Sequence, residues 1–154
     1  MNITIKPIAY VFNRREKIED DFWGDVISEI KLVDELPAEC FDGIETFSHI
    51  EIIFYFNKSA GVEKFIYKAH PRENPEWDSV GIFAQRKRLR PNLIGSTITE
   101  LLRRDGKSIY VRKLDALNGT PVIDIKPMYK EFLPAGKIIQ PTWVSELAKN
   151  YWSK

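Results

Sequence analysis

Residues 46–56 read TFSHIEIIFYF, and this stretch decides the fold. It is packed with β-branched and aromatic residues and is apolar enough to be the central strand of a sheet. On the N-terminal side, Ile3, Ile5 and Ile8 open a strand-like stretch that ends near Asn13, and residues 25–32 (DVISEIKL) alternate as a second strand. Between them residues 14–25 are polar and hold Trp23-Gly24, a loop of functional length. Residues 37–41 suit a single helical turn. On the C-terminal side, residues 80–84 and 122–125 are short apolar strand candidates. Residues 96–103 and 107–114 flank Asp105-Gly106, a dipeptide that favours a tight hairpin turn. Only the end reads as helix. There Thr142 stands as a cap before WVSELAKNYW, with Trp143, Leu147 and Tyr151 four residues apart.

Long strands joined by turns, with no helices between them, predict a mainly β protein. The expected form is a small antiparallel single-sheet β-barrel with short peripheral helices and a C-terminal helix, one domain over residues 1–154. A doubly wound nucleotide-binding fold has no support, because neither GxGxxG nor P-loop spacing occurs.

The bulk composition narrows the function. At 154 residues, 44% hydrophobic and 29% charged, the chain can bury a core without disulfides. The formal net charge is +1, so contact with a polyanion has to come from local patches. Cys40 is the only cysteine and is expected as a small buried filler; no disulfide and no thiolate metal site can form within the chain. The two histidines, His49 and His70, lack metal-ligand clustering, so no metal is expected. His49 falls inside the apolar strand as SHIEI, where a buried structural histidine is expected, whereas His70 precedes Pro71 in a loop near Asn74 and Trp77 and could line a site. The start, MNITIKPIAY, resembles no signal peptide and no stretch approaches a membrane span, so the expected location is cytoplasmic.

Two polar loops carry more constraint than packing requires. Residues 81–95 (GIFAQRKRLRPNLIG) place Arg86, Lys87, Arg88 and Arg90 behind an apolar run, followed by Pro91-Asn92. Proline pushes the residue before it into extended geometry, which gives Arg90 a fixed direction. Such a run serves a solvated loop, capture of a carboxylate or phosphate by a guanidinium fork, or contact with an RNA backbone. Residues 114–127 (LDALNGTPVIDIKP) set Asp115, Asn118, Asp124 and Lys126 around a Gly-Thr-Pro turn. Asp115 and Asn118 could bond a ribose or an adenine edge, or stabilise their own turn. Asp124 and Lys126 share one face of a short strand, where a surface ion pair is the plain expectation.

At these runs the sequence resembles the TsaA-like family, whose best-known members are the TrmO tRNA methyltransferases. The matching stretches are FSHIEIIFYF (47–56), GIFAQRKRLRPNLIG (81–95) and LDALNGTPVIDIKP (114–127), and in order and spacing they cover residues 40–134. The resemblance implies a small antiparallel barrel that binds S-adenosylmethionine, works as a homodimer and methylates N6 of a threonylcarbamoyl-modified adenosine beside the tRNA anticodon. It places the cofactor on Asn57, Lys58, Arg86, Ser96 and the run Asp115, Ala116, Leu117, Asn118. Lys87, Arg88, Arg90, Asn92 and Lys126 are left for the substrate. Asp115, Asn118 and Asp124 are the candidate acceptors for the N–H of the reacting adenine nitrogen. The sequence departs from the family at a Pro-Arg-Gln motif, where it reads EKIEDDFWGDVISEI, at Asn57-Lys58 in place of His-Gln, and at RPNLIG in place of RPNPIG. It looks like a short branch without the further C-terminal domain, in which Trp23-Gly24 stands in for the changed motif. Two other readings stay open: a non-catalytic S-adenosylmethionine-binding module, and a methyltransferase for a small molecule or another RNA.

Overall fold

The structure is a computed structural model and describes residues 1–61 and 66–153. Its strands are β1 (Ala9–Phe12), β2 (Ile27–Leu32), β3 (His49–Tyr55), β4 (Lys68–Ala69), β5 (Val80–Gly81), β6 (Ile94–Asp105), β7 (Ser108–Arg112) and β8 (Pro121–Pro127). One α-helix, α1 (Thr142–Leu147), follows. Six strands close a barrel in the order β1-β2-β7-β6-β3-β8, every pair antiparallel, and β4 and β5 form a separate ribbon. Closure leaves no barrel edge unpaired.

The quoted stretch is central, with β3 lying between β6 and β8. Period two governs it: Ile50, Ile52 and Phe54 are buried while Glu51, Ile53 and Tyr55 are only partly covered. Ala9, Val11, Ile30, Leu32, Ile109, Val111 and Val122 complete the barrel interior, and Phe41, Leu114 and Ala116 plug it from the connecting segments. Gly95 lets Phe54 and Phe56 pack edge to face over the start of β6.

Several expected boundaries move, each for a local reason. The first strand begins at Ala9, and Ile3 and Ile5 are exposed; Pro7 has no N–H to give a ladder, and pairing starts where the Ile8 amide donates to the Val122 carbonyl (2.8 Å). Residues 80–84 form a two-residue strand and a 3-10 turn, Ile82–Ala84. The buried Gln85 amide ties this turn back by donating to the Ala69 and Val80 carbonyls (3.1 and 3.0 Å). In the β6–β7 hairpin Asp105 is the last paired residue, and the two-residue loop is Gly106-Lys107, with Gly106 at φ 55°.

Cys40 is exposed, contrary to expectation, because the 3-10 turn Ala38–Phe41 turns Phe41 into the core instead. His49 is exposed as well: it opens β3 on the outer face, its Nδ1 2.8 Å from Ser48 Oγ. The helix is shorter than expected, and Thr142 is its first residue, behind Pro141, with no side-chain cap. Beyond Leu147 the chain leaves the helix and spends its carbonyls on the N-terminal loop.

Candidate functional site

The two polar runs meet at one end of the barrel. Asp115 follows β7 through the buried Leu114, which fixes its direction. Its carboxylate takes two hydroxyl donors, Thr97 Oγ1 on Oδ1 and the Tyr151 hydroxyl on Oδ2. Thr97 belongs to the inward-facing row of β6, and its neighbour Ser96 faces outward. Arg86 enters from the preceding loop and donates from Nη2 to the Ser96 carbonyl (2.6 Å). Desolvation, then the charge and hydrogen bond of Asp115, push the Tyr151 phenol well above its ordinary value, against the opposing pull of Arg86 and Arg72. Tyr151 is therefore a neutral donor at any working pH.

Others of the expected cofactor residues are tied to one another through the N-terminal loop. Asn118 Nδ2 donates to Glu16 Oε1 (2.8 Å), its Oδ1 accepts from the Asn13 amide (3.1 Å) and its own amide donates to the Arg15 carbonyl (2.8 Å). Lys58, in the 3-10 turn Asn57–Ser59 just after β3, donates from Nζ to the Glu16 carbonyl (3.1 Å). Glu16 thus joins Asn57-Lys58 to Asn118. Ala116 is buried and offers only its backbone, where its carbonyl accepts from Asn13 Nδ2 (2.9 Å). The Leu117 carbonyl accepts from the Thr120 amide (3.1 Å), and Gly119 supplies the positive φ of 77° that the turn requires.

The remaining candidates lie apart from this cluster. Asp124 and Lys126 pair with each other on the outer face of β8, and in the ladder Ile53 separates Asp124 from Ser96. Asp124 thus takes Lys126 as its partner on β8, whereas Asp115, in the loop after β7, turns to the inward-facing Thr97. Arg90 donates to the Gln85 carbonyl (3.3 Å) and Lys87 and Arg88 are partly covered, while Asn92 is exposed in a turn closed by the Leu93 amide on the Arg90 carbonyl (3.1 Å). His70 Nδ1 donates to the Trp77 carbonyl (2.6 Å), which pins the loop but leaves the ring outside the Asp115 cluster.

Trp23-Gly24 acts through packing and through the C-terminal segment, the Trp23 amide donating to the Tyr151 carbonyl (2.9 Å). The Trp23 ring is buried, its Nε1 donates to the Glu19 carbonyl (3.2 Å), and the Arg15 guanidinium covers it at 4.6 Å. Gly24 is the seat of the C-terminal segment. A Cβ there would stand 1.7 Å from the Trp152 carbonyl oxygen. Sequence reasoning missed Thr97, Tyr151, Asn13, Arg15 and Glu16. Thr97 was within reach, as a polar residue on the inward row of β6 just after the RPNLIG turn; Tyr151 gave only a helical spacing.

Two surface hollows, of about 440 and 420 Å³, lie elsewhere, the second along Arg14, Arg15, Asp25, Val26 and Ile27; neither is lined by Arg86 or Asp115. Among the described residues no group of three His, Cys, Asp or Glu side chains could hold a metal, and no helix is long and apolar enough to cross a membrane.

Comparison with known proteins gives the family and the fold. The model of the tRNA-methyltransferase O N-terminal domain matches residues 13–132, most of the chain. A tRNA (adenine(37)-N6)-methyltransferase of Homo sapiens is 35% identical over 105 residues, which is 68% of this chain but 23% of the human protein. A probable S-adenosyl-L-methionine-binding protein of Methanothermobacter thermautotrophicus is 34% identical over 135 residues, 85% of this chain and 93% of that one. In fold, the chain superposes on the crystal structure of TrmO from Pseudomonas aeruginosa with a TM-score of 0.72 at 23% identity, covering 93% of this chain and 62% of that one. The chain thus spans about a quarter of the human relative and under two thirds of the solved one. With five of the six barrel strands, the Asp115 loop and the Arg86 loop inside the matched residues, the chain belongs to the tRNA-methyltransferase O N-terminal domain family.

Proposed function

We propose that this protein is an S-adenosylmethionine-dependent methyltransferase acting on N6 of an adenosine in tRNA, the finer substrate being the threonylcarbamoyl-modified adenosine beside the anticodon. The observation that carries the reading is the Asp115 carboxylate, held by Thr97 and Tyr151 beside Arg86 docked on the Ser96 carbonyl. These groups fit the cofactor chemically. A carboxylate suits ribose hydroxyls, and a guanidinium suits the carboxylate of an amino acid. When bound, S-adenosylmethionine supplies an activated methyl group on a sulfonium. The chain's work is then alignment. Asp115 and Arg86 grip the two ends of the cofactor, and Asn118, fixed by Asn13 and Glu16, presents its amide to the adenosine or the acceptor base. Asn57, Lys58 and Ser96 border the pocket. Lys87, Arg88, Arg90, Asn92 and Lys126 offer cationic and polar contacts for the RNA backbone. The adenine nitrogen is a weak nucleophile, and acceptance of its N–H falls to Asn118, whose Oδ1 keeps a lone pair beyond the Asn13 amide, since Asp115 serves the cofactor and Asp124 pairs with Lys126 on the outer face.

The family resemblance also supports a homodimer working in the cytoplasm. Trp152, Tyr129, Phe132 and Ile139 are exposed apolar residues that a second copy could cover. A binding module without transfer is the second reading, and the altered loop at residues 14–25 favours it.

One experiment separates these. The protein is incubated with labelled S-adenosylmethionine and total tRNA, with and without the threonylcarbamoyl modification. Label in the modified tRNA alone supports the proposed function. Tight cofactor binding without transfer supports the module. No cofactor binding removes both.

A further inference from the structure

We propose that Tyr151 is a positioning residue for the cofactor, and that residues 141–153 form a strap that makes the third wall of its pocket, an inference that rests on Asp115 and Arg86 holding S-adenosylmethionine as read above. The strap lies beyond the residues that the family model matches. It is fixed at two points. Near its start Glu146 Oε2 accepts from Trp77 Nε1 (2.9 Å) and the Trp143 ring lies 6.3 Å from that of Trp77. Near its end the Phe22 and Trp23 amides donate to the Asn150 and Tyr151 carbonyls (3.1 and 2.9 Å), and the Trp152 carbonyl seats on Gly24.

These two fixings deliver the Tyr151 side chain to Asp115. A carboxylate offers about four lone-pair sites. Thr97 occupies one on Oδ1 and Tyr151 one on Oδ2. One acceptor site remains on each oxygen, enough for two donors such as the vicinal hydroxyls of a ribose. With only Thr97 as partner the carboxylate can turn about its last torsion, a broad and soft one, and the paired acceptors are lost. Tyr151 therefore acts through Asp115 and sets affinity for the cofactor, leaving the transfer step alone.

The test compares the full-length wild type with Tyr151→Phe by calorimetric titration of S-adenosylmethionine and by methyl-transfer kinetics. The expected result is a rise of about fivefold or more in Kd and in KM for the cofactor, with kcat at saturation held within about twofold. A merely structural role gives the opposite split, lowering kcat through a smaller folded fraction and leaving KM unchanged. In the Asp115→Asn background the same substitution should change Kd by less than about twofold, because both act through one contact. A folded Tyr151→Phe with wild-type Kd and KM overturns the proposal. Should that variant fail to fold, wild-type protein isotope-labelled at the phenolic carbon of tyrosine replaces it: the Tyr151 resonance must move on saturation with the cofactor, and a fixed resonance overturns the proposal. A wild type that does not bind S-adenosylmethionine overturns the functional reading together with this one, whereas a silent variant overturns this one alone.

Discussion

Replacing Gly24 by alanine should release the end of the C-terminal strap while leaving the barrel folded. Alanine's Cβ would stand 1.7 Å from the Trp152 carbonyl oxygen and 2.8 Å from its carbonyl carbon, where real Cβ atoms essentially never come within 3.0 Å. The blocking atoms are backbone, so no side-chain rotation relieves them. The carbonyl has to retreat by roughly 1.3 Å to reach that contact limit. Such a retreat stretches the Trp23 amide to Tyr151 carbonyl bond from 2.9 Å past hydrogen-bonding distance, and with it the neighbouring Phe22 to Asn150 bond at 3.1 Å. Two backbone bonds at about 1 kcal/mol each, and one donor to a charged acceptor at about 1.5–3 kcal/mol, give a local loss of roughly 3.5–5 kcal/mol. The Trp77–Glu146 fixing and the barrel core are untouched, so the loss stays local. Native-state hydrogen exchange should show the Phe22 and Trp23 amides losing protection by about a hundredfold or more, while core amides such as that of Ile52 keep theirs. Undiminished protection at Phe22 and Trp23 in the variant would refute the placement of the strap on Gly24.

Further outcomes can be checked separately. Arg86→Ala, at an exposed side chain, should weaken S-adenosylmethionine binding at least tenfold, about 1.4 kcal/mol, with little change in Tm; Asp115→Ala should do the same at a cost in stability, and calorimetry with unchanged affinity would remove either from the site. Gly95→Ala drives a Cβ to 2.6 Å from Phe54 and 2.8 Å from Phe56, and the two rings must shift, so urea denaturation should report a loss of about 1–3 kcal/mol. The raised Tyr151 value gives a definite sign to alkaline behaviour. Above the ordinary phenol value of 10.0 the unfolded chain loses the proton that the fold retains, so this contribution is complete below that pH and fades as pH rises further. Alkaline denaturation of the wild type should fall off more steeply there than that of Tyr151→Phe.

The sequence by itself determined the barrel. Alternation in residues 49–55, the turn signal at Asp105-Gly106 and the lack of intervening helical periods all depend on near neighbours along the chain, so local chemistry was enough. It also marked Asp115, Asn118 and Arg86, because short polar runs around proline and glycine stand out against an apolar pattern. His49 and Cys40 were misjudged because burial depends on which face a strand or turn presents, and composition does not record that. Only the tertiary structure decided who shares the site. Thr97 and Tyr151 are far apart along the chain yet meet on one carboxylate, while Asp124, nine residues beyond Asp115, pairs with Lys126 on β8 instead. The physical reason lies in closure of the barrel. Strand pairing and the seat at Gly24 bring distant segments together, and neither the pairing order nor a space too small for a Cβ is written in any single stretch of residues.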